Sequence, residues 1–186
     1  KRNETVLNGM PQDVICFFDV KKTDAFTVLL NNEVAMQELM QTQLFGNLKN
    51  DLELFNKICG TKAELLSDIQ NKNFLTGAFA SGDNNVQYLF LLQLDEASRL
   101  NLKQFLPDFD GEQPSVSVHK FERADIYELN YSKSKVAVAF AKVSGVFIFS
   151  ASSVLVENAI LQLKNGDPVT EHAGFKDVYD NMNKKA

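Results

Sequence analysis

Apolar residues recur along this chain with two different periods, and the switches between them predict the order of its elements. Over residues 14–20, Val14, Cys16, Phe18 and Val20 fall on one face of an extended segment, and Ile15 and Phe17 fall on the other. A strand that is apolar on both faces is expected in the middle of a sheet. Pro11 and Asp13 mark where it starts. After Lys21-Lys22-Thr23-Asp24, residues 25–30 read as a second strand or a short helix. From Glu33 the period lengthens: Val34, Met36, Leu39, Met40 and Leu44, then Leu48, Leu52, Phe55 and Ile58, keep to a helical face, with Gly46-Asn47 breaking the run. Gly60 ends it, and Thr61 with Glu64 makes a capping box for a further helix carrying Leu65, Leu66 and Ile69.

Residues 74–80 and 86–94 return to strand patterning on either side of Ser81-Gly82-Asp83-Asn84-Asn85, a cluster of turn formers, and read as a hairpin. Asp95 can cap the next helix, in which Ala97, Leu100 and Phe105 recur before Pro107 stops it. Beyond the polar link 108–114, four short apolar runs at 116–121, 126–131, 136–141 and 146–149 make a meander. In the third run Val136, Val138 and Phe140 line one face and Ala137, Ala139 and Ala141 the other, so the small side lets a helix or loop approach closely. Ser152 or Ser153 then caps a helix over 154–163, with Leu155, Ala159 and Leu163 along one side, which Asn165-Gly166 and Pro168 end. A last helix runs from about Phe175 to Met182.

Together these elements define an α+β fold: a largely antiparallel sheet built from hairpin-then-helix units, with a helical layer packed on one side. Residues 1–12 read as a flexible polar tail, with Lys1-Arg2-Asn3-Glu4-Thr5 as a processed start, and 13–186 as a single domain. Ala-Phe-Ala occurs in both hairpins, at 78–80 and 139–141, and with the repeated element order suggests two similar hairpin–helix halves, about 14–106 and 115–186. Residues 136–156 carry one charge, Lys142, over a length able to cross a bilayer. Ser144-Gly145 interrupts them with a turn signal, so a hairpin followed by a helix is expected there and no transmembrane span.

With 186 residues, 45% hydrophobic and 23% charged, the composition is that of a folded globular chain. The net charge is −5 and the basic residues are scattered, which leaves no stripe for a phosphate backbone; no nucleic-acid partner is expected. Fifteen Phe and no Trp point to rings spent on burial, because phenyl groups have no polar atom to present to a ligand. Cys16 and Cys59 lie far apart without a CxxC spacing, which excludes structural zinc on count; a disulfide and two free thiols both stay open, with a buried free thiol favoured for Cys16.

Candidate chemistry is sparse. Phosphate-binding glycine loops, HExxH, GxSxG and the EF-hand pattern are all absent from the sequence. Asp108-Phe109-Asp110-Gly111 offers two carboxylates and a turn without the later ligands of a calcium loop, and reads as a solvated loop. His119 and His172 are the only imidazoles and read as surface residues, His119 on the polar side of a strand. Ser150, Ser152 and Ser153 stand just before an apolar helical run, where capping accounts for them better than nucleophilic catalysis. Glu122, Asp125 and Glu128 offer an acid–base pair, but 122–125 has the look of a hairpin turn with ordinary charge. The sequons Asn3-Glu4-Thr5 and Asn130-Tyr131-Ser132 occur at about chance frequency. No catalytic, cofactor-binding or metal-binding residue is assigned, and no cofactor.

Three segments carry a family resemblance: Met10-Pro11-Gln12-Asp13-Val14, Leu44-Phe45-Gly46-Asn47-Leu48, and the run from Ser152 to Leu163 followed by Phe175. They resemble an uncharacterised, lipoprotein-like domain family of cell-envelope proteins from gut Gram-negative anaerobes, whose members are often longer than this chain. The matching positions are mostly hydrophobic and capping residues, so the resemblance implies a fold and a place, exported to the periplasm or a lipid-anchored surface, and carries no catalytic residue onto this chain. The function it implies is a non-enzymatic scaffold or recognition module for another envelope protein. The Phe content and the thin alanine face keep a binder of a small apolar ligand or lipid as the alternative, and an enzyme of unidentified class comes third.

Overall fold

The computed structural model describes residues 4–20, 33–42, 44–59, 74–82, 85–94, 100–104, 109, 111–166, 169 and 175. Among the described residues seven strands hydrogen-bond into one antiparallel sheet: β1 (Cys16–Val20), β2 (Phe74–Ser81), β3 (Asn85–Gln93), β4 (Ser115–Phe121), β5 (Ala124–Tyr131), β6 (Val136–Val143) and β7 (Val146–Ser150). Their spatial order is β1-β2-β3-β7-β6-β5-β4, so the first three strands and the four-stranded meander meet where β3 pairs with β7. The turns follow the residues that can adopt them. Glu122 and Arg123 take φ of 46° and 64° between the paired Phe121 and Ala124, and Ser144 and Gly145 take 51° and 76° between Val143 and Val146. Both are two-residue loops with positive φ at each position, the turn geometry that matches the twist of a hairpin.

Strand alternation divides the apolar side chains into two cores. Phe74, Tyr88, Phe90, Leu129, Tyr131, Val138, Phe140, Phe147 and Phe149 face one way and meet Leu48, Leu52, Phe55, Ile58 and Cys59 of a helix over Leu48–Cys59. Among the described residues two shorter helices precede it, α1 (Glu4–Leu7) and α2 (Glu33–Met40), so this one is α3. It is the helical layer expected over one face. The opposite face carries Leu75, Phe79, Leu89, Leu91, Ile126, Ala139, Ala141 and Ile148, and packs against α1 and α4 (Ser153–Asn165) through Val6, Leu7, Leu155, Val156, Ala159 and Ile160. As the alternation along β6 predicts, the small side chains Ala139 and Ala141 are where a helix comes down onto the sheet. The two Ala-Phe-Ala triplets do not share a packing role: Phe79 points to the α4 side and Phe140 to the α3 side.

Two expectations need correction. β1 stands at one end of the sheet among the described residues, not at its centre. Its apolar second face is explained by Phe17, which packs on Phe175 with ring centroids 5.2 Å apart, while Ile15 and Asp19 are exposed. The expected flexible tail over 1–12 is instead anchored from residue 6 onward: Val6, Leu7 and Met10 are buried on the α4 side of the sheet, Pro11 is buried as well, and the Gly9 and Met10 amides close turns onto the carbonyls of Val6 and Leu7. Apolar side chains inside a polar-looking stretch supply enough burial to hold it.

The helical run from Glu33 does break near Gly46-Asn47, between α2 and α3. Tyr88 ties that break to the sheet by donating its hydroxyl to the Leu44 carbonyl. Residues 25–30, the Thr61–Glu64 capping box with its helix, Asp95 to Arg99, and residues 176–182 lie outside the described residues; Leu102–Gln104 forms one turn of 3₁₀ helix. Gly166 ends α4 with φ 68°, its amide bonded to the Gln162 carbonyl, as the Asn165-Gly166 pair predicts. No described helix is long and apolar enough to cross a membrane, and residues 136–156 form the expected hairpin and helix start.

Candidate functional site

A cluster of polar groups sits on the α4 side of the outer strands. Because side chains alternate, Ser115, Ser117 and His119 of β4 share this face with Glu128 and Asn130 of β5 and Ala137 and Ala139 of β6. The pairing sets Ser115, Asn130 and Ala137 in one row and Ser117, Glu128 and Ala139 in the next. Alanines form the floor, so the longer side chains around them enclose an open cleft of about 360 Å³ that runs up to Ala151 and Ser153 at the start of α4.

Beside the cleft, an imidazole stands between two carboxylates. His119 Nε2 is 3.3 Å from Glu157 Oε1 on α4, and its Nδ1 is 4.0 Å from Glu128 Oε1 on β5. Ser117 donates its hydroxyl to the other Glu128 oxygen at 3.1 Å. The order is Ser117–Glu128–His119–Glu157, which differs from a nucleophilic triad in a decisive respect. There the imidazole takes the serine proton, and here the serine bonds the carboxylate while both ring nitrogens already face acids. All four groups are at least partly open to solvent, and Ser117 is exposed. The carboxylates lie on opposite sides of the ring, which is unsuited to chelation, and no group of three or more His, Cys, Asp or Glu among the described residues could hold a metal ion.

The three serines before the apolar run of α4 separate into different roles. Ser150 is buried, donates to the Tyr88 carbonyl at 2.7 Å and accepts the Ser152 amide at 3.0 Å, so its hydroxyl is fully committed. Ser152 occupies the N-cap position with extended backbone, but its side chain makes no capping bond. The expected cap is thus displaced two residues upstream, because Ser150 ends β7 pointing toward the backbone that starts α4. Ser153 lines the cleft. Glu122 belongs to the β4–β5 turn, Asp125 follows it on β5, and Glu128 alone of that trio reaches the cleft. His172, Asp108 and Asp110 lie outside the described residues. Both cysteines are free thiols, Cys16 half-buried and Cys59 buried, and burial raises each above the ordinary thiol range.

A second set of titratable groups lies under α3. Burial pushes the Asp51 carboxyl up to about 6. Tyr88 is raised well above the ordinary phenol range, first by burial and then by Asp51 and Cys16 nearby. With the Tyr88 hydroxyl bonded to the Leu44 carbonyl, this set fastens the segment before α3 to the sheet. Elsewhere Glu112 is buried against the β5–β6 turn, accepting from the amides of Lys133 (2.8 Å) and Ser134 (3.1 Å) and from the Ser134 hydroxyl (3.1 Å).

The sequence pattern alone does not bring Ser117, His119, Glu128 and Glu157 together. The signal for their meeting is the strand alternation itself, which puts Ser117, His119 and Glu128 on one face once β4 and β5 are paired; the contribution of α4 requires the crossing of a helix over that face. Comparison with known protein families, with characterised proteins and with solved structures yields no match for this chain.

Proposed function

We propose that the chain is a non-enzymatic recognition module, working in the cell envelope as its family resemblance implies, and that the cleft on its outer strands takes a cationic group of its partner. The observation that carries the reading is the carboxylate of Glu128, which lines the cleft while it faces His119 and holds Ser117, with Glu157 close behind. Serine and asparagine side chains on the rim supply further hydrogen-bonding groups for an ammonium or guanidinium. A chain of net charge −5 adds long-range attraction for such a group. An apolar ligand finds less to recognise here, since α4 packs over the alanine face at Ala141 and the remaining cleft has a polar rim.

Titration with a short Lys- and Arg-rich peptide, followed by amide NMR, tests the site. Shifts confined to the neighbourhood of Ser115, Ser117, Glu128 and Asn130, weakened about tenfold by Glu128→Gln, a loss of roughly 1.4 kcal/mol, are expected. An acetylated peptide should bind less. Equal binding by Glu128→Gln, or catalytic turnover of the bound peptide, would overturn the proposal. Fractionation of native cells that finds the chain in the cytosol would overturn the envelope assignment.

A further inference from the structure

β4 ends the sheet opposite β1, and its outer side is an unprotected edge among the described residues. It is seven residues long, pairs with β5 in unbroken register and contains no proline. Phe121 and Ala124 flank a two-residue loop and therefore form a hydrogen-bonded pair; by alternation His119–Ile126, Ser117–Glu128 and Ser115–Asn130 do the same. The N–H and C=O groups of Val116, Val118 and Lys120 consequently point away from β5, along the free edge. Val116 and Val118 are 42% and 51% exposed, so the side chains flanking those groups are open as well. Sheet proteins usually blunt such an edge with proline, a bulge or several charges; here a single lysine serves.

We propose that this edge pairs antiparallel with β4 of a second copy of the chain, about a two-fold axis through Val118. In that register Val118 meets Val118 and Val116 meets Lys120 on both sides, which satisfies every outward backbone group of the three residues with roughly six hydrogen bonds. Neighbouring registers are worse. A two-residue shift one way brings the two Lys120 closer and, at the next step, directly opposite one another. A shift the other way sets Lys120 against Pro114, which has no amide to give.

Charge and shape favour the same register. Across the four central strands the middle row reads Tyr127, Val118, Val118, Tyr127, an apolar stripe. In the rows on either side each Lys120 keeps its own cross-strand Asp125 and meets an uncharged Val116. On the opposite face each His119 lies across from Ser117 of the second copy, whose hydroxyl holds Glu128, so an imidazole approaches a carboxylate and not another imidazole. A strand pair of this length is at the small end of interfaces, with an expected dissociation constant of about 10–100 µM.

Sedimentation equilibrium of the whole chain tests this, together with amide exchange. The weight-average mass should rise from 20.9 kDa toward twice that value as concentration passes through the micromolar range. The amides of Val116, Val118 and Lys120 should become protected over the same range. Val118→Lys, which places two ammonium groups at the axis on a side chain already exposed, should keep the far-ultraviolet circular dichroism and melting of the wild type and abolish both changes. Val118→Pro, which removes an outward amide and no hydrogen bond to β5, should do likewise. A chain that stays monomeric at several hundred micromolar overturns the proposal, and so does a dimer that survives both substitutions or leaves those three amides unprotected.

Discussion

Phe55 lies flat against Phe90, with ring centroids 4.9 Å apart and planes 7° from parallel, and Phe149 meets the same ring edge-on at 5.2 Å. One side chain of α3 thereby contacts β3 and β7, the two strands at which the halves of the sheet join. Phe55 is fully buried, so truncation removes apolar area and leaves a cavity between rings that cannot collapse onto it. Phe55→Ala should lower stability by about 3–5 kcal/mol, read as a shift of the urea midpoint at unchanged slope. A loss below about 1 kcal/mol would mean that α3 is not keyed to the sheet through this ring.

How much of this was legible follows from which interactions are local. The period-two runs and the turn formers Ser144-Gly145 specify their hairpins within a few residues, and the Leu48, Leu52, Phe55, Ile58 stripe specifies the buried face of α3. Strand order is different, because β1 looks central by its apolar faces yet lies at an end of the sheet among the described residues, where Phe17 packs on Phe175, distant in sequence. The anchoring of Val6 and Met10 depends on a sheet surface that forms much later in the sequence. For the candidate site, alternation contains the β4–β5 part, whereas Glu157 joins only because the alanine face of β6 lets α4 cross there.

Ser150 and Ser152 make a sharp pair for a capping test. The Ser150 hydroxyl serves the Tyr88 carbonyl and the Ser152 amide from a buried position, while the Ser152 hydroxyl serves no cap. Ser150→Ala leaves both partners without it and should cost about 1–3 kcal/mol. Ser152→Ala should stay within about 0.5 kcal/mol of wild type. Chemical denaturation of the two variants side by side checks the ranking, and the reverse order would show that the side chain of Ser152 is the real cap.

Asp51 makes the chain less stable as pH rises. Its folded-state carboxyl titrates at about 6, above the ordinary aspartate value, because α3 holds it against the sheet away from water. Between about pH 4 and 6 the folded chain therefore holds more protons than the unfolded one, stability falls across that window, and the deficit persists above it. Asp51→Asn should remove the fall and raise stability at pH 7 by about 1–3 kcal/mol. Urea midpoints measured at pH 4, 5, 6 and 7 decide the matter; equal slopes with pH in both proteins would refute it.

Glu112 acts with the opposite sign. The Lys133 amide is the first cause of its lowered titration, followed against it by the cost of burial and then, in favour, by the amide and hydroxyl of Ser134 and the charge of Lys133. Its folded-state value lies below the ordinary glutamate value, so the unfolded chain binds more protons in the interval between them. The stabilisation is complete above the unfolded value and is lost as pH falls through the folded one. Glu112→Gln replaces an acceptor-only group by one that carries two N–H donors of its own, so it cannot serve both amides and the hydroxyl equally well. The variant should be less stable than wild type at pH 7, with faster amide exchange at Lys133 and Ser134, and the gap should close in acid as the wild-type carboxylate is protonated. A gap that is the same at pH 7 and pH 3 would mean that the charge of Glu112 does not fasten the segment before β4 to the β5–β6 loop.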